Sequence, residues 1–419
     1  MSQFRQHRSH LYDDLVRSVV GPFARACMVV ALSLGSATLF VACIAPVRGA
    51  GSAPAVALLR LAFVTDTLRT TRIAPGLTYR YVHSPVGPWA IHLLEVDRSA
   101  CWSVRAIKAH GSAIGREPTS ALLRDLAERE PVVAGVNADF FSFTSPGVPA
   151  GAHLEDGRVV TGPGARPVIA FDSAGAPFIG MLGLLGSAIT HGVAYPLGGW
   201  NRVAPRGLAL LDRSWGTASD SGSGRIEVSL GGTPLQVLAI DTLATGVDIP
   251  RNGGLLVAGR DADIETRRAM QSLHLGDTVA IDLQLTKAHL RDVVGGWPVI
   301  LRDSAITGAV DSAGATFAPV RHPRTAIGIA REGRELLFVV VDGRQMPYSD
   351  GMTLRELAEL LRSLGARDAL NLDGGGSSTF VLADSLDPLM LRVRNHPSDN
   401  VERPVANALA VVHGCGSQS

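Results

Sequence analysis

Lysine is nearly missing from this sequence. Of its 39 basic residues only Lys108 and Lys287 are lysines; the rest are arginines, set against 38 acidic residues for a formal net charge of +1. No basic stripe marks any segment, so a nucleic-acid partner is not expected. Cysteine is scarce as well, with Cys27 and Cys43 near the N-terminus and Cys101 and Cys415 farther on. None belongs to a CxxC pair, which removes zinc knuckles and dithiol redox motifs. GxSxG, HExxH and Walker sequences are all absent, so a serine α/β-hydrolase, a zincin and a P-loop nucleotide site drop out. EF-hand spacing is absent too. Oxygen-rich strand ends leave Ca²⁺ or Mg²⁺ open, but nothing calls for a cofactor.

What is present begins with a targeting pattern. Arg5, Arg8, Arg17 and Arg25 precede an uncharged stretch from Ala26 to Pro46, and a small-residue run follows Arg48. Residues 1–55 therefore read as an export signal or an N-terminal membrane anchor, with Phe40-Val-Ala-Cys43 similar to a lipoprotein cleavage box. The expected location is periplasmic, extracellular or membrane-anchored. Residues 56–415 suffice for a single catalytic domain. In an oxidising compartment Cys101 and Cys415 become candidates to pair.

Short strand-like runs alternate with turns over most of that length. Tyr79–Val82 and Trp89–Val96 read as strands, and Asp156-Gly157 and Gly231-Gly232 as hairpin turns. A helix is predicted over Ser120–Glu130 with Thr119 as its N-cap, another near Glu265–Leu273, and a strand over Thr278–Leu285. Thr353-Leu-Arg-Glu356 is a capping box opening a helix that Gly365 ends. That helix lies between strands Glu335–Val341 and Ala369–Leu372, which predicts a parallel pair with a right-handed crossover. Hairpin signals still outnumber such units. The expected fold is α+β, with mixed, largely antiparallel sheets and a few covering helices.

The most informative stretch is Asn371-Leu-Asp373-Gly374-Gly375-Gly376-Ser377-Ser378-Thr379. An apolar strand there delivers a carboxylate into three glycines, whose N–H groups can line an anion-binding nest. A plain glycine-rich turn is the alternative. Helix, buried strand and Asn-x-Asp occur once before, at Asn137-Ala-Asp139, followed by Phe140-Phe141-Ser142. Two similar strand ends would present paired carboxylates; otherwise Asp139 caps a turn while the phenylalanines pack. Gly295-Gly-Trp-Pro298 is a stiff turn able to line a pocket. Arg324 opens an apolar strand, where it needs a partner: an anionic substrate group or one of the strand-end aspartates. Polar loops at Asp342–Thr353 and Asn395–Asn407 complete the set.

In their order along the chain, VNADFFS (136–142), GVPAG (147–151), RTAIG (324–328), NLDGGGSSTFVL (371–382) and HPSDNVERPVANALAV (396–411) resemble the phosphodiester glycosidase family. The resemblance implies hydrolysis at an anomeric centre whose leaving group is a phosphate ester, on an envelope or extracellular carbohydrate or sugar-phosphate substrate. On that reading Asp373 and Asp139 are the carboxylate pair. Arg324 and the N–H groups of Gly374, Gly375, Gly376, Ser377 and Ser378 hold the phosphodiester. Asn137 and Asn371 orient sugar hydroxyls or the carboxylates, and Asp399 assists from the last loop. The alternatives are a glycosidase acting on exopolysaccharide without phosphate, and a non-catalytic exopolysaccharide-binding or assembly protein.

Overall fold

In a computed structural model of the protein, the described residues are 63–144, 147–203, 206–220, 222, 224–243, 246–384 and 390–414. The expected export or anchor segment and Cys415 lie outside them. Cys101 is disulfide-bonded, and no helix among the described residues is long and apolar enough to cross a membrane. The described residues belong to one compact unit.

Alternation along the strands explains the layering. In Glu335–Val341 every residue after the first is buried. Leu336, Phe338 and Val340 join one apolar cluster while Leu337, Val339 and Val341 join another, as a period of two requires of a strand covered on both faces. The strand sits in an eight-stranded sheet ordered Thr67–Ala74, Leu77–Ser84, Trp89–Asp97, Glu335–Val341, Arg324–Ala330, Ala366–Asn371, Val299–Arg302, Ala305–Ile306. One face packs against a five-stranded sheet ordered Leu391–Val393, Phe380–Ala383, Val132–Asn137, Asn407–His413, Trp102–Lys108, burying Phe338, Ile327, Val136, Phe380 and Leu409 between them. Helix Leu354–Ser363 covers the far side of the first sheet through Leu354, Leu357 and Leu361. Helix Thr119–Ala127 covers the second through Leu122, Leu123 and Leu126.

A smaller five-stranded sheet, from Arg158–Thr161 to Pro177–Met181, extends the first core. A seven-stranded sheet spanning Leu184 to Leu285 carries its own apolar cluster with Met270 of helix Ile264–Gln271. Among the described residues the strand pairs are antiparallel except Val193–Trp200 with Leu208–Leu211, so the fold is α+β and largely antiparallel.

Local signals held where the backbone chemistry is self-contained. Thr353 and Glu356 form the reciprocal capping box, Gly365 ends the helix at φ +90°, and Asp156-Gly157 turns a hairpin between His153–Glu155 and Arg158–Thr161. Two expectations need correction. Pro118, not Thr119, precedes the first helical residue. The open N–H and Oγ of Ser120 instead donate to the Glu402 carboxylate, at 2.9 and 2.5 Å, a tertiary cap that also suits the helix dipole. Strands Glu335–Val341 and Ala366–Asn371 do not pair: Arg324–Ala330 lies between them, antiparallel to both. A longer-range strand won the hydrogen bonds that the crossover reading assigned locally.

Candidate active site

The two Asn-x-Asp motifs meet. Strand Val132–Asn137 of one sheet and strand Ala366–Asn371 of the other end side by side, and the Asp373 N–H donates to the Ala138 carbonyl at 2.8 Å. Asn137 tightens the junction: its Nδ2 donates to the Asp373 carbonyl at 2.6 Å. Its Oδ1 accepts from Thr325 Oγ1 at 2.8 Å and from the Thr379 N–H at 3.1 Å. Asn371 Nδ2 donates to the Trp297 and Leu372 carbonyls at 2.7 and 2.9 Å. Both asparagines are buried and their amide N–H groups donate to the protein at the strand ends, while Asn371 Oδ1 has no partner.

The carboxylates differ in access. Asp139 is 1% exposed. Its Oδ2 accepts from the Gly151 N–H at 2.6 Å, while its Oδ1 has no partner. Its N–H donates to Asn407 Oδ1 at 2.8 Å. A Cβ on Gly295 would lie 2.4 Å from Asp139 Oδ2, and one on Gly151 3.1 Å from it. Two expected motifs thus supply the wall against which this carboxylate packs. Burial pushes Asp139 up to about 7; the nearby Asp373 charge adds to this, and the Gly151 N–H, Arg202 and Arg166 oppose it. Asp373 is partly exposed. Burial raises it to about 6 against Ser377, the Gly374 N–H, Arg403 and Arg166. Two carboxyls raised toward neutrality, the charge of Asp373 reaching Asp139, are suited to proton transfer at these strand ends.

The glycine loop is less open than its sequence suggests. The Gly374 N–H donates to Asp373 Oδ1 at 3.0 Å and the Gly375 N–H to the Pro323 carbonyl at 2.9 Å. The Ser377 and Ser378 N–H groups donate to the Gly374 and Gly375 carbonyls, both at 3.2 Å. Of the expected anion-binding donors, only the Gly376 N–H keeps no acceptor among the described residues. Positive charge gathers around the loop instead. The Arg344 guanidinium lies over Gly375, where a Cβ would meet it at 3.3 Å. A Cβ on Gly376 would sit 2.2 Å from both Arg403 Nη2 and Asp399 Oδ2. Asp399, expected to touch sugar, is paired with Arg403 at 2.7 and 3.0 Å across the loop.

The protein itself binds Arg324 on two of its three guanidinium nitrogens. This arginine is 1% exposed; its Nε donates to the Met352 carbonyl at 2.8 Å, and its Nη2 to those of Phe317 and Val320 at 2.7 and 3.0 Å. Burial, reinforced by Arg344, pulls its pKa down to about 10. No aspartate among the described residues pairs with it; through Nε and Nη2 the guanidinium ties two loops to the strand.

Sequence reasoning missed Arg166. Its guanidinium carbon lies 5.2 Å from the Phe140 ring and 5.3 Å from the Trp297 ring, and both strand-end carboxylates feel its charge. The available signal was its place between Gly164 and Pro167, in a bend one hairpin beyond the Gly147–Gly151 motif. Among so many arginines that signal is faint. Asp342, from the expected polar loop, is buried: it accepts from Tyr348 Oη, Asn395 Nδ2 and the His396 N–H at 3.0–3.1 Å, holding the last loop against the glycines. No group of three or more His, Cys, Asp or Glu among the described residues is poised to hold a metal.

A separate cleft of about 500 Å³ opens beside Lys108, Glu155 and Asp292. Its charges are largely answered within the protein, Arg105 by Glu130 and Arg158 by Glu155, and the paired carboxylates do not line it.

Residues 236–412 match the family described as Phosphodiester glycosidase. That segment holds Asp373 and the glycine loop but not Asp139 or Arg166. Over 86 residues the chain is 42% identical to the Mus musculus N-acetylglucosamine-1-phosphodiester alpha-N-acetylglucosaminidase, an alignment covering 20% of this chain and 15% of that protein. The fold is similar to a hypothetical protein from Synechocystis (TM-score 0.69, 23% identity, 82% of this chain and 63% of that one). It is also similar to a candidate exported protein of Burkholderia pseudomallei K96243 (TM-score 0.62, 25% identity, 80% and 76%).

Proposed function

We propose that this chain, which resembles the phosphodiester glycosidases over residues 236–412, hydrolyses a sugar-1-phosphodiester at the anomeric carbon. The observation that carries this reading is the meeting of two buried strand ends that set Asp139 beside Asp373 at the foot of an arginine-ringed glycine loop. In the reaction water adds to C1, the C1–O bond to phosphorus breaks, and a phosphomonoester leaves. A phosphate leaving group needs little protonation, so the demand falls on the attacking side and on charge stabilisation. Asp373, the accessible carboxylate, meets that demand as base or nucleophile. Asp139, sealed behind it, holds a proton up to near-neutral pH and so keeps one negative charge, not two, at the centre.

We place the reaction outside the cytoplasm. The basic-then-apolar N-terminus, the disulfide at Cys101 and the likeness to a candidate exported protein support that placement. Product analysis on a sugar-1-phosphodiester tests the proposal. Free sugar plus phosphomonoester is the expected outcome; a sugar phosphate plus free alcohol would refute anomeric cleavage.

Asp139's setting gives a second check. Gly295→Ala puts a methyl group against its Oδ2. Displacing the carboxyl by a fraction of an ångström should lower kcat/KM by about 10²-fold and cost about 1–3 kcal/mol of stability. Unchanged kcat/KM with a lowered urea midpoint would show that Asp139's position is immaterial to turnover.

A further inference from the structure

Arg166 is a cation set in the site without a partner. Among the described residues it makes no hydrogen bond or ion pair, and its Nη1 is buried with no acceptor. A buried guanidinium N–H left unpaired is costly, and such orphans in native structures call for an explanation. The surroundings hold the side chain in place from the back. Its guanidinium rests near the Phe140 and Trp297 rings, and Phe317 packs against both rings at 6.0 and 5.4 Å. Its Cβ lies 3.5 Å from the space beside Gly151, next to the Asp139 carboxylate. Aromatic faces stabilise a guanidinium without consuming its N–H donors. The geometry leaves those donors for a guest.

We propose that Arg166 is the oxyanion anchor of the site, holding an anionic oxygen of the substrate beside Asp373. This rests on the hydrolase reading above and sharpens it: the preferred substrate carries its negative charge at the reacting centre. The charge suits the non-bridging oxygens of a sugar-1-phosphodiester. A uronate carboxylate offers the same chemistry from a different source. Arg324 has fewer donors to offer, since its Nε and Nη2 are committed to protein carbonyls. Arg403 shares its charge with Asp399.

The test compares wild type with Arg166→Met and Arg166→Lys on three substrates of one sugar series: a sugar-1-phosphodiester, a neutral aryl glycoside and a uronide. Arg166→Met should lower kcat/KM for the phosphodiester by about 10²-fold or more while the neutral glycoside changes by less than about threefold, and Arg166→Lys should recover part of the loss. A loss confined to the uronide would keep the anchor and reassign its guest. Equal losses on all three, with the pH profile displaced alike for each, would overturn the proposal and leave Arg166 a counter-charge to Asp139 and Asp373. Calorimetric titration with inorganic phosphate separates this inference from the hydrolase reading. Phosphate binding lost in Arg166→Met supports the anchor even if wild type turns over no substrate. Undiminished phosphate binding in Arg166→Met overturns it even if hydrolysis is confirmed.

Discussion

Asp373→Asn should reduce turnover of a sugar-1-phosphodiester by about 10³-fold or more, the loss expected when the carboxylate at a reacting centre becomes neutral. The fold should survive, because the contacts that join the two strand ends are made by backbone and by Asn137. Asp373 contributes its N–H to Ala138 and its carbonyl to Asn137, and neither involves the carboxyl. Its Oδ1 accepts from the Gly374 N–H, a role the asparagine amide oxygen can fill. Kinetics and thermal melting on the same preparation decide the matter. A variant that melts like wild type and turns over at near-wild-type rate would remove Asp373 from the chemistry and, with it, the proposed mechanism. A substitution at Asp399 tests less, since that carboxylate serves Arg403 and the loop rather than an open face.

Much of this site was legible because its frame is built from local rules. A helix, a buried strand and Asn-x-Asp appear twice, and the repeated pattern marked two carboxylates that the fold joins. The capping box at Thr353–Glu356 is a matter of three residues and their own N–H groups, so no distant contact can overrule it. Arg324 shows the limit. That a strand-opening arginine must be paired follows from desolvation; what pairs it depends on loops at Phe317, Val320 and Met352 whose path is tertiary. The glycine loop fails in the same way. Its N–H groups have the freedom to form a nest, but Pro323 and the loop's own carbonyls take most of them. Arg166 was hidden for the opposite reason. Nothing near it in sequence is polar enough to mark a site, and its meaning comes from Phe140 and Trp297 folding onto it.

Burial at the pair carries a cost in stability, and the cost depends on pH. Asp139 ionises near 3.9 in an unfolded chain but at about 7 in the folded protein, chiefly because it is buried. Between those values the folded state keeps a proton that the unfolded chain has lost, so stability falls as pH rises from about 4 to 7. The full shift corresponds to at most about 4 kcal/mol; Asp373, raised to about 6, adds in the same direction. Asp139→Asn removes the larger part. Protonated aspartic acid and asparagine have nearly the same shape, and each leaves one polar atom unpaired where Oδ1 now sits. At pH 4, therefore, wild type and variant should unfold at similar denaturant concentrations. At pH 8 the variant should be the more stable by several kcal/mol while its activity is lost. Other titrating groups, Asp292 among them, are common to both proteins and cancel in the difference. If the two denaturation midpoints instead stay parallel from pH 4 to 8, Asp139 is not held protonated by the fold, and the division of labour between a sealed carboxyl and an accessible one fails. If they diverge, the protein retains at this position a carboxyl that asparagine would make more stable, as expected of a group kept for what its proton does rather than for what it holds together.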